Sequence, residues 1–165
     1  MQIIPLLLKE FELESAITQQ MLEKVPDDQF SYKPHEKSMS LLQLTTHIAE
    51  LPGWIAMGFA SSEMDFANTP YEMTIINNRD ELLELFKKSV EAGKTSLEKA
   101  SEEDLLPSWT LRHGETIFMT FTKYELIRHS LAQTIHHRAQ LGVFLRLLNI
   151  TLPKTYGPSA DEPSF

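Results

Sequence analysis

The longest run of helical patterning in the chain lies near its C-terminus, between Phe121 and Asn149. This stretch contains no proline, and its apolar side chains recur every three or four residues, as in an amphipathic helix that buries one face. The apolar positions that carry the pattern are Leu126, Ile127, Leu131, Leu141, Leu145 and Leu148. The pattern predicts a long helix, and the other apolar segments of the chain are expected to pack against it.

A helical wheel of this segment indicates which of its three histidines faces the core. Successive residues turn by about 100°, which places His137 inside the apolar stripe and Gln133 one turn earlier on almost the same face. His129 and His136 fall on the flank of the helix. Arg138 falls off the stripe together with His136, so we expect both in solvent or against a partner.

Three further helices are predicted before this one. They cover about residues 4–24, a segment from a cap at Ser38 or Ser40 to beyond Leu51, and about residues 79–100. Pro52 should kink the second of them, because proline lacks a backbone donor and clashes with the preceding turn. Gly93 weakens the third helix locally.

The segments between these helices show no alternation of apolar and polar residues that is typical of a strand. We interpret 61–78 as a long connection, 107–115 as a loop before a helix that opens at Thr116 or Thr120, and 150–165 as a non-helical tail. The fold class predicted from these elements is all-α. It is a four-helix bundle with a long crossover between helices 2 and 3, in a single domain over residues 1–165.

The charge balance narrows the possible partners. The 165-residue chain has a net charge of −8, so it repels phosphate backbones and we expect no nucleic-acid partner. It contains no cysteine, which excludes disulfides, thiolate metal ligands and a cysteine nucleophile. No apolar run approaches the length of a membrane span, and the N-terminus does not resemble a signal peptide. We therefore expect a cytoplasmic protein with no membrane partner.

The most informative polar side chains are His47, Gln133 and His137. In helical bundles, metal and cofactor sites are built from inward-facing side chains on neighbouring helices, and imidazole is the commonest metal ligand. His47 lies within the second predicted helix, and Gln133 with His137 forms an i, i+4 pair on the last. The spacing alone does not establish a metal site, because it also allows a core histidine at 47 that is satisfied by Glu50, and a packing histidine at 137.

Three segments resemble the DinB family of four-helix bundle proteins, which includes the YfiT-type and bacillithiol-dependent transferase relatives. They are residues 38–50 (SMSLLQLTTHIAE), 135–146 (IHHRAQLGVFLR) and 152–162 (LPKTYGPSADE). The HHR-x-QL string followed by YGPSADE is quite specific, and the likeness extends over nearly the whole chain.

The resemblance implies a divalent metal, zinc or nickel, held by three histidines. His47 and His137 match two of these positions, and Gln133 stands at the third. An amide oxygen is a poorer ligand than imidazole for these ions. The site is therefore expected to be weak or empty unless water, Glu50 or His136 replaces the missing donor.

The resemblance also implies a homodimer and a small-molecule or thiol substrate, in a metal-dependent transferase or hydrolase. The alternative is a metal-free binding or dimerisation module of the same fold. A DNA-binding role, which the family name suggests, disagrees with the acidic charge.

Overall fold

Five α-helices and a three-stranded sheet make up the fold in a computed structural model that describes residues 2–70 and 72–164. The helices are α1 (Ile4–Leu22), α2 (Leu41–Glu50), α3 (Gly53–Ala60), α4 (Arg79–Lys99) and α5 (Lys123–Leu147). The strands are β1 (Glu63–Asp65), β2 (Ser108–His113) and β3 (Thr116–Thr122), and two 3-10 turns cover Asp27–Gln29 and Glu102–Leu105. The protein is therefore α+β, and the predicted all-α class is wrong.

The helix break predicted at Pro52 is confirmed, and it separates α2 from α3. A capping box begins α2, because Ser40 Oγ accepts from the Gln43 backbone N–H at 3.2 Å. Gln43 Oε1 in turn accepts from the Ser40 N–H at 2.8 Å. Past the break, α3 packs against both α4 and α5. The break thus lets one apolar segment follow the curved surface of the bundle.

The backbone at this break lies directly against α4, at Gly93. A Cβ atom built on Gly93 would lie 2.5 Å from the Pro52 carbonyl oxygen and 3.0 Å from Phe11 Cζ. Real Cβ atoms do not approach backbone oxygen so closely. Gly93 is therefore the residue that permits this close approach, at the expense of intrinsic helix propensity.

The sheet is formed by segments that were predicted to be connections or helix. β1 pairs in parallel with β2, and β2 pairs antiparallel with β3, in the order β1-β2-β3. Arg112 on β2 joins the strands, because it donates to both carboxylate oxygens of Glu63 at 2.9 and 2.8 Å. Its Nη1 also lies 3.2 Å from the Asp65 carboxylate.

The start of α5 also differs from the prediction. Thr122 caps this helix through the backbone N–H of Glu125, so the proposed openings at Thr116 and Thr120 are wrong and both residues lie in β3. Residues 116–120 are exposed on both faces of the strand. A strand without a buried face shows no alternation, which explains why the pattern was missed.

Arg138 lies in the core, contrary to the expectation that it faces solvent or a partner. Its side chain is only 3% exposed and its Nη2 lies 2.7 Å from the Glu14 carboxylate of α1. The same guanidinium donates to Thr18 Oγ1 at 3.0 Å and to the Tyr156 hydroxyl at 2.6 Å. This buried ion pair holds the non-helical tail against α1 and α5. The helical wheel could not predict the burial of Arg138, because a charged side chain is buried only where another part of the fold supplies an opposite charge, here Glu14.

None of the helices in the described ranges is both long and apolar enough to cross a membrane.

Candidate functional site

A cavity of about 470 Å³ opens where α2, α3 and β1 meet the connection that runs from β1 to α4. Its lining is dominated by three thioethers and two aromatic rings, and the polar exceptions are an amide and an imidazole. The lining residues are Met39, Met64, Met73, Trp54, Phe66, Gln43 and His47. No charged side chain belongs to this set. Its volume and apolar lining are those of a typical small-molecule site.

The local sequence explains how the polar residues reach this cavity. Leu41, Leu44 and Ile48 bury the opposite side of α2, which turns Gln43 and His47 outward, one helical turn apart. Trp54 follows the break at Pro52 and meets the His47 ring edge-on, with the ring centroids 6.3 Å apart. The helix break therefore places an aromatic wall beside the imidazole.

The structure brings His47 and His137 together, although 89 residues of chain lie between them. Their ring centroids are 4.8 Å apart and the rings are inclined by 79°. His136 lies on the far side of His137, with centroids 4.9 Å apart. The pairing of His47 with His137 is thus a contact between α2 and α5, in which His47 is the member that lines the cavity.

Gln140 is a site residue for which the sequence predicted no role. Its Oε1 lies 2.8 Å from His137 Nδ1, and its Nε2 lies 3.2 Å from His136 Nε2. An amide oxygen only accepts, so this geometry places the proton of neutral His137 on Nδ1 and leaves Nε2 with a lone pair. The signal available in the sequence was the spacing, since Gln140 follows His136 and His137 by four and three residues.

The surroundings of these two half-buried imidazoles lower the pKa of each and so favour the neutral form at pH 7. Burial lowers the pKa of His47, the nearby His137 lowers it further, and the negative charge of Glu50 opposes both effects. Burial also lowers the pKa of His137, although its hydrogen bond to Gln140 works in the other direction. A charge at this wall is therefore unfavourable, whereas lone pairs and N–H groups are available.

Gln133 does not join the histidine pair through any hydrogen bond or ring contact among the described residues. It lies half-buried on α5, one turn before His137. Glu50 binds the connection between β1 and α4, because one of its carboxylate oxygens accepts a hydrogen bond from the Thr74 hydroxyl at 2.7 Å. Of the predicted set of His47, Gln133 and His137, the two histidines are thus in contact, and within the described residues Gln133 makes no hydrogen bond to either.

These donors do not fit a resident metal ion held by three strong protein ligands. Within residues 2–70 and 72–164, no three histidine, cysteine, aspartate or glutamate side chains converge on a point that would hold an ion. Two imidazoles leave most of a tetrahedral or octahedral shell to water or to another molecule. The assignment of His47, Gln133 and His137 as metal ligands stays a prediction.

The fold thus combines five helices with a small sheet, and one member of a histidine pair lines an apolar cavity. The sequence profile of the DinB family matches residues 1–164, so the chain belongs to the DinB family. It is 28% identical over 137 residues to the uncharacterised protein YjoA of Bacillus subtilis strain 168, covering 82% of this chain and 84% of YjoA.

Solved structures agree with this assignment. The crystal structure of the DinB-like protein YjoA from Bacillus subtilis has a TM-score of 0.71 at 26% identity, covering 90% of this chain and 96% of that one. A DinB-like protein from Bacillus cereus ATCC 10987 has a TM-score of 0.70 at 20% identity, with 91% and 95% covered. A DinB family member from Exiguobacterium sibiricum 255-15 has a TM-score of 0.70 at 14% identity, with 93% and 97% covered. These last two likenesses concern the fold alone.

Proposed function

We propose that this DinB family protein binds a small molecule in the cavity beside His47, with Gln43 and His47 as the polar part of the wall and His137 packed against His47. The observation that carries the proposal is the combination of an apolar cavity of about 470 Å³ with two neutral imidazoles packed at 4.8 Å. A cavity of this kind recovers free energy by burying apolar ligand surface, and a few polar groups orient the ligand.

The neutral fluorescent probe N-phenyl-1-naphthylamine tests this proposal directly. We expect saturable binding of one probe molecule per chain. The variant Met73→Gln removes an apolar lining group that is 38% exposed, so it should weaken binding about fivefold, the equivalent of about 1 kcal/mol. Met119→Gln is the matched control, because Met119 is 43% exposed and does not line the cavity. Equal weakening by both variants, or no saturable binding, would remove the proposal.

The second candidate function is a metal-dependent transferase or hydrolase with a weakly held zinc or nickel ion. The specific observation in its favour is the histidine pair itself. The lowered pKa of both rings favours the neutral form of imidazole, whose lone pair can bind a metal ion. In this proposal His47 and His137 are the ligands, and Gln133 is a weak third ligand or orients a water molecule. When bound, the ion would supply Lewis acidity and lower the pKa of a coordinated water or thiol.

Elemental analysis of untagged protein, dialysed with and without zinc or nickel, tests the second candidate. A bound ion raises the unfolding temperature in proportion to the logarithm of its concentration above Kd. We expect His137→Ala to abolish that rise. The control is His129→Ala, because His129 packs against Phe121, with centroids 5.1 Å apart, and not against the pair. A metal-dependent rise that survives in His137→Ala would exclude this site.

A further inference from the structure

We infer that the ligand of this cavity is an uncharged amphiphile, in which an apolar body carries one hydroxyl group that lies between Gln43 and His47. The inference rests on the proposed small-molecule site and names the class of compound that the site selects. Two features of the wall lead to it, namely the absence of any charge among the described lining residues and the hydrogen-bonding groups that Gln43 and His47 leave available.

The apolar body is indicated by the lining itself. Met39, Met64 and Met73 present flexible, polarisable thioethers that adapt to an irregular apolar shape, and Trp54 and Phe66 add flat surfaces. Phe66 also contacts Phe118 of β3, with ring centroids 6.5 Å apart. Phe118 is 53% exposed, so the apolar surface continues past the cavity along this strand. A longer apolar chain therefore has a surface to follow outward.

No charged side chain is among the described residues that line the cavity. Arg112 on the neighbouring strand is paired with Glu63 and Asp65 of β1. The negative charge of Glu50 reaches His47, but its carboxylate is hydrogen-bonded to the segment between β1 and α4 and lies outside this lining. The desolvation that disfavours the charged form of His47 applies equally to a carboxylate or ammonium group placed beside it.

The polar groups at the wall match a hydroxyl. The amide oxygen of Gln43 is used by the backbone N–H of Ser40, which leaves the amide NH₂ as a donor. The neutral imidazole of His47 has one lone pair, and in the described ranges no hydrogen bond engages either of its ring nitrogens. A hydroxyl accepts one hydrogen bond and donates another. It therefore satisfies Gln43 and His47 together, which an ether or a hydrocarbon cannot do.

Displacement of N-phenyl-1-naphthylamine by a matched set of eight-carbon compounds tests the inference. The set is 1-octanol, its isomer heptyl methyl ether, octanoate and octylammonium. We expect 1-octanol to bind about fivefold tighter than the ether, because the ether lacks the donor. The two ions should bind at least about tenfold more weakly than the alcohol. Among alcohols from 1-hexanol to 1-decanol, each added methylene should tighten binding about fourfold.

Variants at His47 test whether the hydroxyl group of the ligand binds there. His47→Leu should erase the preference for alcohol over ether and leave probe binding in place, and His47→Gln should restore part of the preference. His129→Leu is the control and should keep the full preference. An ion that binds as tightly as the alcohol, or an ether that equals it, overturns this inference but leaves the cavity as a binding site. If N-phenyl-1-naphthylamine itself does not bind, the proposed small-molecule site and this inference are both refuted.

Discussion

Replacement of Gly93 by alanine should destabilise this protein, although alanine is the better helix former. Gly93 lies inside α4, where the change of glycine to alanine normally gains about 1 kcal/mol. Here the new methyl group would lie 2.5 Å from the Pro52 carbonyl oxygen and 3.0 Å from the Phe11 ring. The oxygen belongs to the backbone at a helix break and cannot move aside as the end of a flexible side chain would.

The magnitude follows from the difference between two terms. Overpacking a tight contact costs about 1–3 kcal/mol, and the gain in propensity offsets about 1 kcal/mol of it. We therefore expect a net loss of up to about 2 kcal/mol, which in a chain of this size lowers the unfolding temperature by a few degrees. Since Pro52 positions Trp54 and the end of α2, the variant should also weaken binding of N-phenyl-1-naphthylamine in the cavity.

The assay is urea unfolding of Gly93→Ala beside Gly142→Ala, which makes the same substitution within α5. A Cβ on Gly142 would meet only Met21 Cε, at 3.5 Å, which is ordinary van der Waals contact. Gly142→Ala should therefore be more stable than the parent, by up to about 1 kcal/mol. If Gly93→Ala is as stable as Gly142→Ala, the reasoning about the close approach at Pro52 is refuted.

Three further predictions concern charge. Glu14→Ala should lower the free energy of unfolding in urea by about 3–5 kcal/mol, because it leaves Arg138 buried without its carboxylate partner. The control Glu10→Ala breaks the more exposed pair with Arg128 and should lower it by less than about 1 kcal/mol. Similar losses in the two variants would contradict this account. Glu102→Gln should lower the free energy of unfolding by about 1 kcal/mol, because one Glu102 carboxylate oxygen accepts from the backbone N–H groups of Ile3 and Ile4 at the start of α1, at 2.8 and 3.0 Å. The same change at the exposed Glu103 should have little effect. The midpoints of urea unfolding of the two variants test this difference. Burial lowers the folded-state pKa of His47 and His137, so the unfolded chain takes up these protons first. Their contribution to stability is complete above about pH 6.5 and is lost as the pH falls below that value. Urea midpoints across this range should show the loss, His47→Leu should reduce it, and an unchanged pH dependence in that variant would count against the assignment.

The helices could be predicted because their information is local. Apolar spacing places α1 and α4 within a few residues of their observed positions, and Pro52 marks the break between α2 and α3. It also locates the body of α5, although the predicted start of that helix at Thr116 or Thr120 is wrong. The strands could not be predicted in this way. β1 has three residues, and most of β3 exposes both faces, so neither strand shows a period of two. The pairing of β1 with β2 brings Arg112 against Glu63 and Asp65, across a distance along the chain that no local pattern reports.

The sequence by itself determined the family, the helical periodicity and the two histidines worth examining. Only the tertiary structure decided that His47 and His137 touch and that Gln140 holds His137. It also placed Arg138 inside the core. The physical reason is that periodicity reports which side of a helix is apolar. The contact and the protonation state of a polar group depend on what the neighbouring helices bring against it.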